Sequence, residues 1–136
     1  MLLLGGCEAS DPATGAKPSA ETGQLAPDSP GDVEAKANAH LANAAALVAL
    51  LDGGPPAIRP ASLAFIEPSL KFVRTAARHP GEVSVAVSDE ELGIAAMSET
   101  GSCFWLVDAL EGAESRYGQG LPCTGRSAFN ASESAW

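Results

Sequence analysis

Cys103 lies inside an apolar, strand-like run, Cys-Phe-Trp-Leu-Val, and Cys123 lies about twenty residues later in a Pro/Gly turn region. A cysteine in a strand and a second in a nearby loop point to a staple across the edge of a small sheet. Bonds of this kind persist outside the reducing cytoplasm. The pair therefore constrains both architecture and compartment. Aromatic residues make up only 5% of the chain, so Ala, Leu and Val must do most of the packing. A covalent staple helps such a core.

The 136 residues fit one domain plus a tail. A net charge of −9 argues against nucleic acid, because phosphate binding needs a basic patch that releases counterions. No segment approaches the roughly 20 apolar residues that span a bilayer.

The third cysteine, Cys7, closes Leu4-Gly5-Gly6-Cys7. This resembles a bacterial lipobox, whose cysteine becomes the lipidated first residue of the mature chain. Residues 1–7 are accordingly expected to be a signal remnant, with Cys7 the lipid attachment point. From residue 8 to residue 31 the chain is mostly Ala, Ser, Thr, Pro, Gly, Asp and Glu, with Leu25 the one large apolar interruption. Such a segment buries too little surface to offset its ordering entropy and is expected to be a flexible linker. The folded domain is then residues 32–136.

Val33, Ala37, Leu41, Ala44, Val48 and Leu51 recur at spacings of three and four. They lay one apolar stripe along a helix from about Asp32 to Asp52. Asp32 is the expected N-cap, and Gly53-Gly54-Pro55-Pro56 ends the helix. The stripe is expected to pack on the sheet, so that a charge at Leu41 destabilises the fold. Should the stripe lie exposed instead, it becomes an interface for another subunit.

From Ala57 to Pro80 prolines break the pattern. An irregular connection is expected there, packing Phe65, Ile66, Leu70 and Phe72 on the core, with Lys71, Arg74 and Arg78 on a solvated face. After Gly81 the period switches to two. Val83, Val85 and Val87 mark one strand, Leu92, Ile94 and Ala96 a second, and Ser102–Asp108 a third, with Trp105 and Val107 on one face. A short fourth pairing is placed near Tyr117. Tight turns at Asp89-Glu90-Glu91 and Glu99-Thr100-Gly101 make neighbouring strands antiparallel. The fold class read from this order is α+β: one N-terminal helix packed on a three- to four-stranded antiparallel sheet.

The order of elements resembles the head domain of type IV pilins and pseudopilin-like proteins, especially the actinobacterial kind. The residues that carry the resemblance are Ala35-Lys36-Ala37-Asn38 through Ala44-Ala45-Ala46 and Val83-Ser84-Val85. Ser98, Gly101-Ser102-Cys103-Phe104-Trp105, Asp108, Tyr117-Gly118 and Cys123-Thr124 complete it. It covers roughly residues 32–136. The resemblance implies a long helix on an antiparallel sheet, a C-terminal cysteine pair that closes a loop, and partners that are other pilin-like subunits or cell-surface proteins. The family's Gly-Phe motif and hydrophobic anchoring helix have no counterpart here. A lipid on Cys7 would be a different anchor for the same kind of head.

Other constellations carry less. Gly101-Ser102-Cys103-Phe104-Trp105 is similar in outline to the papain nucleophile signature, but no His follows Cys103 to act as base. Cys103, Cys123, His40 and His79 match a zinc set by residue type and lack its short ligand spacings. Asp89-Glu90-Glu91 lacks the alternating oxygen pattern of a calcium loop. Asn130-Ala131-Ser132 fits a glycosylation sequon, incidental in a bacterial chain. The expectation is a protein without catalytic, cofactor or metal residues: exported, extracytoplasmic, and structural or adhesive. The alternative is a lipid-anchored small binding module.

Overall fold

The computed structural model describes residues 28–112 and 114–136. The chain begins with α1 (Pro30–Gly53), followed by a short 3-10 turn at Pro55–Ala57 and α2 (Pro60–Ile66). Strands β1 (Lys71–Val73), β2 (Glu82–Val87), β3 (Glu91–Met97), β4 (Cys103–Ala109) and β5 (Arg116–Gln119) come next, and α3 (Gly125–Ala128) closes the order. The architecture is α+β, with a long N-terminal helix and five strands in the order β1-β2-β3-β4-β5.

The helix boundaries follow local chemistry. Ser29, not Asp32, is the N-cap of α1: its hydroxyl accepts from the Asp32 backbone N–H at 3.2 Å. Asp32 sits in the first turn, where a carboxylate suits the helix dipole. Gly54 ends the helix with φ 75°, and its N–H donates to the Leu50 carbonyl. Pro60 opens α2, where a missing N–H matters least.

The sheet corrects the all-antiparallel expectation. β2, β3, β4 and β5 pair antiparallel, but β1 pairs parallel with β2, with Lys71 opposite Glu82 and Val73 opposite Ser84. A parallel return ordinarily needs a crossover of a dozen or more residues. Here β1 is three residues long, so the return covers only about 10 Å. Residues 74–81 suffice, with the Ala77 N–H held by the Cys123 carbonyl.

Both sheet faces are covered. On one, Val83, Leu92, Ile94, Ala96, Phe104 and Leu106 meet α1, Leu63 of α2, Leu70 and Phe72. On the other, Ala95 and Cys103 meet Ala77 and Cys123, and Val107 meets Ala128 and Ala131. The second cover comes from the C-terminal segment, which lies so close that the Gly125 N–H donates to the buried Ser84 hydroxyl at 2.9 Å.

Two expectations about side chains fail. Phe65 is 89% exposed rather than packed on the core, because the two turns of α2 present Leu63 and, half-buried, Ile66 to the core and leave Phe65 on the other side. The stripe of α1 also faces away from the sheet, as described next.

Candidate functional site

α1 carries two apolar faces. The inward one is built almost entirely of alanine: Ala35, Ala39, Ala42, Ala45, Ala46 and Ala49 are buried against the sheet layer. Small side chains let the helix lie close to β3 and β4. The outward face is the stripe expected to be buried. Val33 is 54% exposed, Leu41 42%, Val48 51% and Leu51 88%, and Ala37 and Ala44 are exposed between them.

This outward face has a definite pattern. Ala37, Leu41, Ala44, Val48 and Leu51 alternate spacings of four and three, the seam period along which one helix receives another. No Asp, Glu, Lys or Arg occurs from Ala37 to Leu51. At its C-terminal end the face runs into a groove of about 540 Å³ between α1 and α2, lined in part by Val48, Ala61, Phe65 and Ile66. Contiguous exposed apolar surface of this kind marks an interaction site more often than scattered apolar residues do.

Polar pins decide which way α1 turns. The Ser98 and Thr100 hydroxyls donate to Asp32 Oδ1 at 2.6 and 2.7 Å, and Asn43 Nδ2 donates to Asp108 Oδ2 at 3.1 Å. Those hydroxyls, Ser98 first, hold the Asp32 carboxyl below its ordinary value. Lys36 pairs with Asp28 and extends its ammonium over the Phe104 ring, 5.1 Å from the centroid. Trp136 joins the same side. Its indole N–H reaches the Trp105 and Gly118 carbonyls, and its ring lies against Tyr117 and His40.

The remaining sequence candidates find these places. Cys103 and Cys123 are bonded to each other, with Cα atoms 5.5 Å apart. The bond links β4 to the turn after β5. Cys7 and the linker from residue 8 lie outside the described residues, apart from the segment that begins at residue 28. His40 stands on α1 beside Tyr117 and Trp136. His79 sits in the β1–β2 loop, and its backbone N–H donates to Glu82 Oε1. Among the described residues, no three of His, Cys, Asp and Glu gather as metal ligands.

Asp89 and Glu90 form the β2–β3 turn, and Glu91 opens β3 and pairs with Arg116. Lys71 lies 3.8 Å from Glu82, a strand-to-strand pair at an exposed edge. The Glu82 carboxyl is held below its ordinary value, first by the Arg78 backbone N–H. Asn130 is exposed beside buried Ala131.

Sequence reasoning found the stripe and assigned it the wrong neighbour. The signal available was composition: the alternative face is nearly pure alanine, the residue type that permits closest approach to a sheet.

No helix among the described residues is long and apolar enough to cross a membrane. No family model, curated protein or solved structure matches this chain.

Proposed function

We propose that this chain is an exported, non-enzymatic surface protein whose pilin-like head acts structurally, by docking a helix of another subunit against the outward face of α1. The observation that carries this reading is the charge-free seam from Ala37 to Leu51, exposed along its length. Alanines alternate with larger Leu and Val on it, so a second helix can approach closely at the alanines while the larger side chains interdigitate. The Cys103–Cys123 bond supports an oxidising, extracytoplasmic setting. In this reading a lipid on Cys7 tethers the head to a membrane, and the residues that follow act as a spacer.

Two measurements test it. The secreted domain should self-associate at high concentration in light-scattering experiments, and Leu41→Asp with Val48→Asp should return it to monomer without lowering its melting temperature. In cells, Cys7→Ala in the full precursor should move the protein from the membrane fraction to the medium. A wild-type domain that stays monomeric at every concentration overturns the docking role. Identical fractionation of both precursors overturns the lipid anchor.

A further inference from the structure

β2 is paired on both sides only over its first half. β1 stops at Val73, opposite Ser84, while β2 continues to Val87. The hairpin turn sets what faces outward. The Ser88 N–H donates to the Glu91 carbonyl, so Ala86 and Gly93 form a hydrogen-bonded pair. Val85 and Val87 therefore direct their backbone N–H and C=O groups away from β3. The Val73 carbonyl at the end of β1 takes the Val85 N–H, and the Val85 C=O and both groups of Val87 face the lane that β1 has vacated. Burial changes at the same point: Val83 and Ser84 are buried, and Val85, Ala86 and Val87 are half-buried.

A cleft of about 470 Å³ runs along this open edge. Ile58 and Pro60 contribute a wall from the helical side of the sheet, and Thr124 and Arg126 one from the side that α3 covers. Arg74, the residue after β1, also lines it. The cleft thus straddles the edge of the sheet, in line with β1. Arg74 and Arg126 are exposed, and neither takes part in an ion pair among the described residues. Two free guanidiniums in one cleft stand out on a chain of net charge −9.

We propose that this edge receives an extended acidic peptide, added as a short strand beside β2. Its main chain pairs with the Val85 C=O and with the N–H and C=O of Val87, and its carboxylates meet Arg74 and Arg126. The open edge runs from the Val85 carbonyl to Val87, about 7 Å, room for roughly two strand residues. Main-chain pairing supplies affinity in this mode, and side-chain contacts supply selectivity. Arginine–carboxylate bonds are strong and directional, which suits them to that selection. A compact anion satisfies the guanidiniums but leaves the strand edge open, and this favours a peptide. The proposal is independent of the role given to α1.

The test is an amide-shift titration of the ¹⁵N-labelled, disulfide-intact full chain with the peptide acetyl-Val-Glu-Val-Glu-Val-amide. Saturable shifts are expected at Val87 and at Ala86, whose amide shares a peptide unit with the Val85 carbonyl, with at least tenfold weaker binding to Arg74→Gln/Arg126→Gln. The same peptide N-methylated at its central residue should bind the unaltered protein at least tenfold more weakly, which tests strand pairing without any variant. The Lys-for-Glu peptide should not bind. Arginines on an open edge also serve to repel other strands, and that role predicts no saturable shift with any peptide. That result overturns the proposal. So does equal binding of the Lys peptide, binding unaffected by N-methylation, or inorganic phosphate shifting the same amides as far as the peptide does.

Discussion

At Gly125 an added Cβ would lie 2.4 Å from the Ala86 amide nitrogen and 2.7 Å from the Gly93 carbonyl oxygen, both backbone atoms of a paired ladder. At Gly93 it would lie 2.2 Å from the Gly125 carbonyl oxygen. Neither ladder nor helix start can give way, so the two glycines set how closely the C-terminal segment covers the sheet. Gly125→Ala is expected to lower stability by about 3 kcal/mol, as for overpacking at a rigid site. Urea unfolding followed by tryptophan fluorescence measures it. Asp32 makes a pH-dependent contribution. Its carboxyl titrates below the ordinary 3.8, chiefly through the Ser98 hydroxyl and then that of Thr100. A depressed folded-state value means the ionised form is favoured on folding, so the contribution is full above 3.8 and is lost as the pH falls further. Asp32→Asn should flatten the stability–pH curve in that acid range, leaving the slope above pH 6 unchanged. Equilibrium unfolding at a series of pH values reads the difference.

The two faces of α1 make opposite predictions at the scale of the element. Ala42 and Ala46 are fully buried, so Ala42→Leu must push the helix off β3 and β4 and should cost roughly 1–3 kcal/mol. Leu41→Asp, one residue away but outward, should change stability by no more than about 0.5 kcal/mol. Paired melting curves of the two variants decide which face meets the sheet. β1 is a second case where neighbours overrule pattern. Three residues, Lys71-Phe72-Val73, carry no alternation long enough to identify a strand. Pairing with β2 makes them one, and burying Phe72 in the main core holds them there.

Across the whole molecule, the disulfide joins parts that no single element connects. It ties β4 to the turn before α3, and the Cys123 carbonyl also holds the loop between β1 and β2 through the Ala77 N–H. Closing a loop of sequence separation 20 stabilises the fold by about 3 kcal/mol on the chain-entropy account. Cys103→Ser/Cys123→Ser should lose that much, and a reducing agent should lower the melting temperature of the unaltered protein but not of the double variant. With few aromatics and an alanine-rich helix contact, this is a large share of a domain's usual margin.

Although the N-cap expected at Asp32 is Ser29, the types and approximate places of α1, β2, β3 and β4 were legible along the chain, as were their turns, a short pairing near Tyr117 and the cysteine pair. Each depends on local backbone preference or on side-chain period, and neighbouring residues carry that information. Periodicity also placed Val33, Leu41, Val48 and Leu51 together on one face. It carried nothing about which face of the helix meets the sheet. That choice rests on contacts between residues more than sixty positions apart, Asp32 with Ser98 and Thr100 and Asn43 with Asp108. Packing distance then favours the alanines, because a helix of small side chains approaches the sheet more closely than one of leucines. The parallel β1 and the arginine-lined open edge of β2 arise in the same way. The parallel return is possible because β1 is only three residues long, and the open edge exists because β1 ends where its longer neighbour continues; both appear only when the two strands are brought together.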